Sequence, residues 1–360
     1  MRALVFPALA LALALALAAC GARSELDPPP ARDGAPPDAG PPDAAPPECT
    51  ADDERCAADE DCCIGRCTGG SCGACRAGDA PVILASGEST SDTYSLVADE
   101  TSLYWGSLAE NGSIRRIDKL GGEPLTLAAG VTDPNTLVVD RDAVYFTADN
   151  GVGSVPIAGG PATLLAGLPP SGGLPWQLAQ DNAALYWTLF YVDQVMTVPK
   201  QGGAATVIST GLGGNGVGVA VDDGWIYWTS SGPDVIQRAL KTGGDPIFLA
   251  ADYAWSMALD DERIYYGTGC VDCGQVRALD KHGGAPEVLS EIDSPSGLAL
   301  DETTVYWAWA GVHGGGVRKV SKSGGEIVDL AVAPGAFAVA VDETCVYWLD
   351  REGTLAKMHK

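Results

Sequence analysis

Residues 298–332 read LALDETTVYWAWAGVHGGGVRKVSKSGGEIVDLAV, and this stretch decides the fold. It divides into LALD (298–301), TVYWAWA (304–310), GVRKVSKSGG (316–325) and EIVDLAV (326–332). Each piece is short, rich in Val, Ile, Leu, Tyr and Trp, and bounded by Gly, Asp or Pro, the pattern of four antiparallel strands. The Gly-Gly at 324 falls between the third and fourth pieces, where a tight turn needs the positive φ that glycine adopts at little cost.

The same unit recurs seven times. Its marker is a tyrosine followed by a second aromatic residue: Tyr104-Trp105, Tyr145-Phe146, Tyr186-Trp187, Tyr227-Trp228, Tyr265-Tyr266, Tyr306-Trp307 and Tyr347-Trp348. The steps are 41, 41, 41, 38, 41 and 41 residues. A strand-rich period near 40 is that of a closed ring of small sheets, so the chain is read as all-β, a seven-bladed β-propeller with four-stranded blades over residues 81–360. Copy seven ends too soon for a fourth strand, and PVILAS (81–86) precedes copy one as an orphan strand. The N-terminal strand is therefore expected to close the last blade, leaving no long edge unpaired.

Within the repeat, the Tyr-aromatic pairs are expected to pack between blades. The Asp before each pair (Asp99, Asp140, Asp181, Asp222, Asp260, Asp301 and Asp342) is expected to form a turn rather than bind calcium. Strings such as VAVDDGWIYWTSSG (219–232) resemble the YWTD class of propeller repeats of lipoprotein-receptor ectodomains, and related repeat domains of bacterial secreted proteins. The likeness covers residues 81–360. The closing Asp of that motif is replaced by Thr229-Ser230, and seven copies stand where the receptor class has six, so no ligand site is carried over.

The first eighty residues have a different character. Met1-Arg2 is followed by an Ala/Leu run over residues 3–19, a secretory signal peptide ending in Leu17-Ala18-Ala19-Cys20. That ending is similar to bacterial lipoprotein signals, which implies lipidation of Cys20. Gly21 after it, by the same resemblance, implies export to the outer membrane. Residues 20–48 carry nine prolines between 28 and 47 and cannot build a core; a semi-rigid tether is expected.

Residues 49–75 hold Cys49, Cys56, Cys62, Cys63, Cys67, Cys72 and Cys75, a small disulfide-rich module in which cross-links replace a hydrophobic core. Six cysteines allow fifteen connectivities. The spacing of the first six resembles a knottin, and that resemblance implies Cys49–Cys63, Cys56–Cys67 and Cys62–Cys72. Cys270 and Cys273 are expected to clamp a hairpin loop, and Cys75 and Cys345 to staple the ring shut. Zinc binding by these thiols is the competing reading, disfavoured in an oxidising compartment.

Catalytic signatures are absent: the chain has three histidines and no nucleophile elbow, zinc-protease motif or phosphate loop. No metal or cofactor is expected. Binding has more support. The residue ten before each tyrosine should lie where the chain leads into an innermost strand, around the mouth of the channel: Tyr94, Asn135, Trp176, Val217, Trp255, Ser296 and Phe337. Tyr94, Asn135, Trp176, Trp255 and Phe337, with His313 from a neighbouring loop, are the candidate ligand-binding residues.

A net charge of −25 excludes nonspecific nucleic-acid binding and disfavours direct adsorption to anionic lipid. The expected protein is a monomeric outer-membrane lipoprotein, joined to the membrane by its lipid, that recognises a protein or glycan ligand. Two alternatives stand beside it. One is a metal-assisted propeller enzyme of lyase or lactonase type, with Asp193, Asp234, Asp272 and His313 as imitators of its metal cluster. The other is a purely structural envelope protein.

Overall fold

The computed structural model describes residues 67–68, 71–72 and 75–360, except 76, 91–94, 109–110, 212, 270–273, 294 and 312–313. Seven four-stranded antiparallel sheets follow one another along the chain. Blade 1 covers residues 96–129, blade 2 137–167, blade 3 174–210, blade 4 215–250, blade 5 256–293 and blade 6 295–332. Blade 7 takes three strands from 336–359 and its fourth from the other end of the chain. That fourth strand, Val82–Ala85, pairs antiparallel with Leu355–His359, Val82 opposite Lys357 and Ile83 opposite Ala356. The ring is closed as the truncated seventh repeat requires.

A disulfide reinforces the closure. Cys75 and Cys345 are bonded, with Cα atoms 5.7 Å apart, and enclose 270 residues of sequence separation. Cross-linking so long a loop removes much of the unfolded chain's freedom and stabilises by roughly 2–4 kcal/mol. Of the Cys-rich module, the structure describes the backbone of one short ladder, Cys67–Thr68 against Ser71–Cys72. The knottin-type pairings and Cys270–Cys273 lie outside the described residues and side chains. Among the described residues no helix is long and apolar enough to cross a membrane.

The core consists of seven apolar clusters, one per seam between blades. Each cluster joins the tyrosine of one blade to the second aromatic of the next: Tyr104 with Phe146, Tyr145 with Trp187, Tyr186 with Trp228, Tyr227 with Tyr266, and so round to Tyr347 with Trp105. Trp105, Trp187, Trp228 and Trp307 are fully buried. The repeated pair is thus the unit of blade-to-blade packing, and truncating one such ring to Ala costs about 3–5 kcal/mol.

Hydroxyls stitch the same seams. Thr147, Thr188 and Thr229, next along their strands, are buried and donate to the carbonyls of Trp176, Val217 and Ala254 in the following blade. In blades 1 and 5 the position is Gly106 and Gly267. A Cβ there would lie about 3 Å from the side chains of Pro134 and Pro295, so the small residue makes room for the next blade's proline.

Candidate functional site on the loop face

In an antiparallel blade the first-to-second and third-to-fourth turns share one face of the ring. The second-to-third turn shares the opposite face with the connections between blades. We call these the turn face and the loop face; they have different chemistry.

The turn face is built from one repeated constellation. In all seven blades Oδ1 of the recurrent Asp accepts the backbone N–H groups two and three residues ahead, at 2.7–3.1 Å. Oδ2 accepts the phenol of Tyr104, Tyr186, Tyr227, Tyr265, Tyr306 and Tyr347 at 2.6–3.0 Å. The aspartates are turn-formers, as their place before the tyrosine implies.

What the repeat pattern did not disclose is the third member, a lysine from the following blade. Lys200 binds Asp140, Lys241 Asp181, Lys281 Asp222, Lys322 Asp260, Lys360 Asp301 and Lys119 Asp342, all at 2.5–3.0 Å. Five of these ammonium groups also sit 5.0–5.6 Å from the centre of the tyrosine ring in that seam. The signal was in the sequence: five of the lysines stand two residues before a Gly-Gly, as in DKLGG, PKQGG, LKTGG, DKHGG and SKSGG. In blade 2 the same place holds Ile157, and Asp99 has no cationic partner among the described residues.

Titration follows from this geometry. Burial alone would raise each carboxyl, but the lysine, the two N–H donors and the phenol outweigh it and hold Asp260, Asp301 and Asp342 at about 2. Burial, then the neighbouring carboxylate, pushes the phenols of Tyr104, Tyr227 and Tyr265 up to about 12. At the closing seam, Lys357 is buried and donates to the Lys119 carbonyl at 2.6 Å. Burial pushes that amine down to about 8. Clefts of about 910 and 540 Å³ open between blades 5 and 6 and between 6 and 7; the lysine lining each is paired, Lys322 with Asp260 and Lys360 with Asp301.

The loop face carries the candidate binding residues, and the structure separates them. Trp176 is partly exposed, with its ring 5.0 Å from that of Phe190. Phe190 in turn meets Tyr191 edge-on at 4.9 Å, and Tyr191 is 67% exposed. On blade 5 Trp255 is 37% exposed and packs edge-on against Tyr253 at 5.3 Å. Asn135 is half-buried, its backbone N–H donating to the Thr147 carbonyl. Tyr94 and His313 lie outside the described residues.

Phe337 is a correction. It is 2% exposed, inside the cluster that joins blades 7 and 1, and does not reach the mouth. Val217, at the equivalent place, is fully buried as well. The first strands of blades 3, 4, 6 and 7 all carry a one-residue register shift at this point, and within it the Trp176 ring stays partly exposed while Phe337 is drawn into the seam beside Leu96, Leu103 and Trp105. Blade 5 pairs without the shift, and the Thr229 hydroxyl meets Ala254, so it is Ala254 that is buried and Trp255 that is exposed.

The acidic positions do not converge. Asp193 is buried, and its carboxylate takes the Trp228 indole N–H at 3.1 Å, the Gln237 amide at 3.2 Å and the Gly213 N–H at 3.0 Å, clamping blade 3 to blade 4. Asp234 is exposed and accepts the Gly232 N–H. Asp272 is outside the described residues. Among the described residues, no three His, Cys, Asp or Glu side chains come together in a way that would hold a metal ion.

No protein-family model matches the chain, and no curated protein does. Solved structures do. Virginiamycin B lyase from Staphylococcus aureus superimposes with a TM-score of 0.65 at 12% identity, over 78% of this chain and 98% of that one. A chain of a mitotic checkpoint complex gives 0.64 at 13% identity, over 79% and 96%. YCF48 from Cyanidioschyzon merolae gives 0.59 at 11% identity, over 78% and 98%. At these identities the likeness is one of fold. The chain is a seven-bladed β-propeller, an architecture its structural neighbours use for unrelated tasks.

Proposed function

We propose that this chain is a non-enzymatic recognition protein of the bacterial cell envelope. A lipid on Cys20 joins it to the outer membrane, the proline-rich tether holds it off the surface, and the loop face of the propeller binds a protein or glycan. The observation that carries this reading is the exposure of aromatic groups on the loop face, Trp176–Phe190–Tyr191 and Tyr253–Trp255. Rings left partly in water offer large apolar area at low conformational cost, the usual composition of binding hot spots. The bond between Cys75 and Cys345 suits an oxidising compartment, in keeping with export.

The test is a screen of the full-length chain against glycan and envelope-peptide arrays. Binding should appear and be lost in Trp176→Ala/Trp255→Ala; a folded chain with no hit on either array contradicts the reading. The anchor is tested apart, by incorporation of labelled fatty acid that Cys20→Ser abolishes.

A further inference from the structure

Blade 3 has a feature that neither turn geometry nor core packing accounts for. Its second-to-third turn places Tyr191 at φ 76°. In the corresponding turns of blades 1, 2, 4, 6 and 7 the positive φ falls on Asn111 and Gly112, Gly151, Gly232, Gly314 and Gly353, residues that accept it readily. A tyrosine there is strained, and its ring, 67% exposed, recovers little by burial.

The ring does not stand alone. It caps a continuous aromatic group, Tyr191 on Phe190 at 4.9 Å and Phe190 on Trp176 at 5.0 Å. At the same end of blade 3, Ser171 Oγ donates to Oε1 of Gln194, the first residue of the strand that follows the Tyr191 turn, at 3.0 Å, an exposed hydroxyl and amide. The backbone of Gly173 lies against the Phe190 carbonyl and the Val192 side chain, which brings the Ser171 turn to the end of the strand that carries Phe190 and Tyr191. None of these residues carries a charge, and the acid that follows in sequence, Asp193, is 6% exposed and turned to Trp228 and Gln237.

We propose that Trp176, Phe190 and Tyr191, with Ser171 and Gln194, form a subsite for a neutral hexopyranose unit, one face of the sugar lying on the Tyr191 ring and its hydroxyls on the rim. The inference rests on the recognition reading above and narrows its ligand class. A pyranose ring presents a flat C–H face edged by hydroxyls, which is what an exposed aromatic ring flanked by neutral donors and acceptors complements. A basic peptide would need carboxylates at the ring's edge and an anionic glycan would need cations; the group has neither. The chain's net charge of −25 disfavours the anionic case further.

The experiment titrates the full-length chain with cellohexaose, mannohexaose and chitohexaose, read by saturation-transfer NMR and by thermal melting. At least one should bind. Tyr191→Gly removes the ring and relieves the backbone, so its melting temperature should hold or rise while affinity falls tenfold or more. Tyr191→Phe should bind within threefold of the parent, and Gln194→Ala severalfold more weakly. Wild-type binding by Tyr191→Gly overturns the proposal. So does silence of all three sugars while an envelope peptide binds through Trp255, an outcome that leaves the recognition reading standing. If neither sugars nor peptides bind the folded chain, both fall.

Discussion

The two faces of the propeller use aromatic and charged residues in opposite ways. On the turn face every recurrent Asp is engaged by backbone, and six of seven carry a lysine from the next blade, so polar groups are paired within the fold. On the loop face Asp193 is buried, Asp252 accepts the Tyr266 phenol and pairs with Arg277, and Glu88 pairs with Arg115, while aromatic rings are left at the surface. Both faces tie blade to blade, but the turn face does so with one constellation repeated round the ring, and the loop face with contacts that differ from blade to blade and leave some rings at the surface.

That contrast can be broken most sharply on the turn face. Asp222→Ala would leave Lys281, the Tyr227 hydroxyl and two backbone N–H groups without their acceptor, and should destabilise by about 3–5 kcal/mol in denaturant unfolding. Opening the staple with Cys345→Ser should cost roughly 2–4 kcal/mol by the same measurement, with the strand Val82–Ala85 losing hydrogen-exchange protection first.

Titration sharpens the comparison further. Asp260, Asp301 and Asp342 are held near 2 in the fold against 3.8 for the free side chain, so the folded state resists protonating them. Their contribution is present above pH about 4 and is lost as pH falls toward 2, seen as a drop in melting temperature. The phenols raised to about 12 act at the other end: their contribution is complete below pH 10 and fades as pH climbs toward 12. Loop-face variants should leave both limbs unchanged.

Smaller effects mark the exceptions on each face. Ile157→Lys would supply the missing partner of Asp99 and should stabilise by up to about 1 kcal/mol, less at high salt. Tyr191→Gly should also stabilise by about 1 kcal/mol, through relief of the backbone.

Much of the turn face was legible in the sequence, because a structural repeat repeats its cause. The Asp-to-Tyr spacing, the Gly-Gly turns at positive φ, the closing strand from 81–86 and the bond between Cys75 and Cys345 all follow from counting residues. Five of the six lysines stand in frame with a Gly-Gly pair; what hides their role is that each acts across a seam, on a partner about 60 residues away in sequence, as Lys200 does on Asp140, or 223 away for Lys119 and Asp342. The loop face was only half legible. The ten-before-tyrosine rule selects Trp176 and Trp255 but also Phe337, because blades 3 and 7 share the same register shift there and spacing alone does not tell a ring left at the surface from one drawn into the seam. Phe190 and Tyr191 break no periodicity, and what marks them is the backbone angle at 191, which composition and spacing do not encode.

The division of labour between faces is tested most directly by one array experiment on three full-length proteins: the parent, the loop-face variant Trp176→Ala/Trp255→Ala, and the turn-face variant Glu302→Gln/Glu343→Gln, which spares every Asp–Lys pair. The account predicts that the parent and the turn-face variant bind alike, and that the loop-face variant stays folded but loses binding. Binding that survives in the loop-face variant and disappears in the turn-face variant would contradict it and move the ligand to the acidic turns.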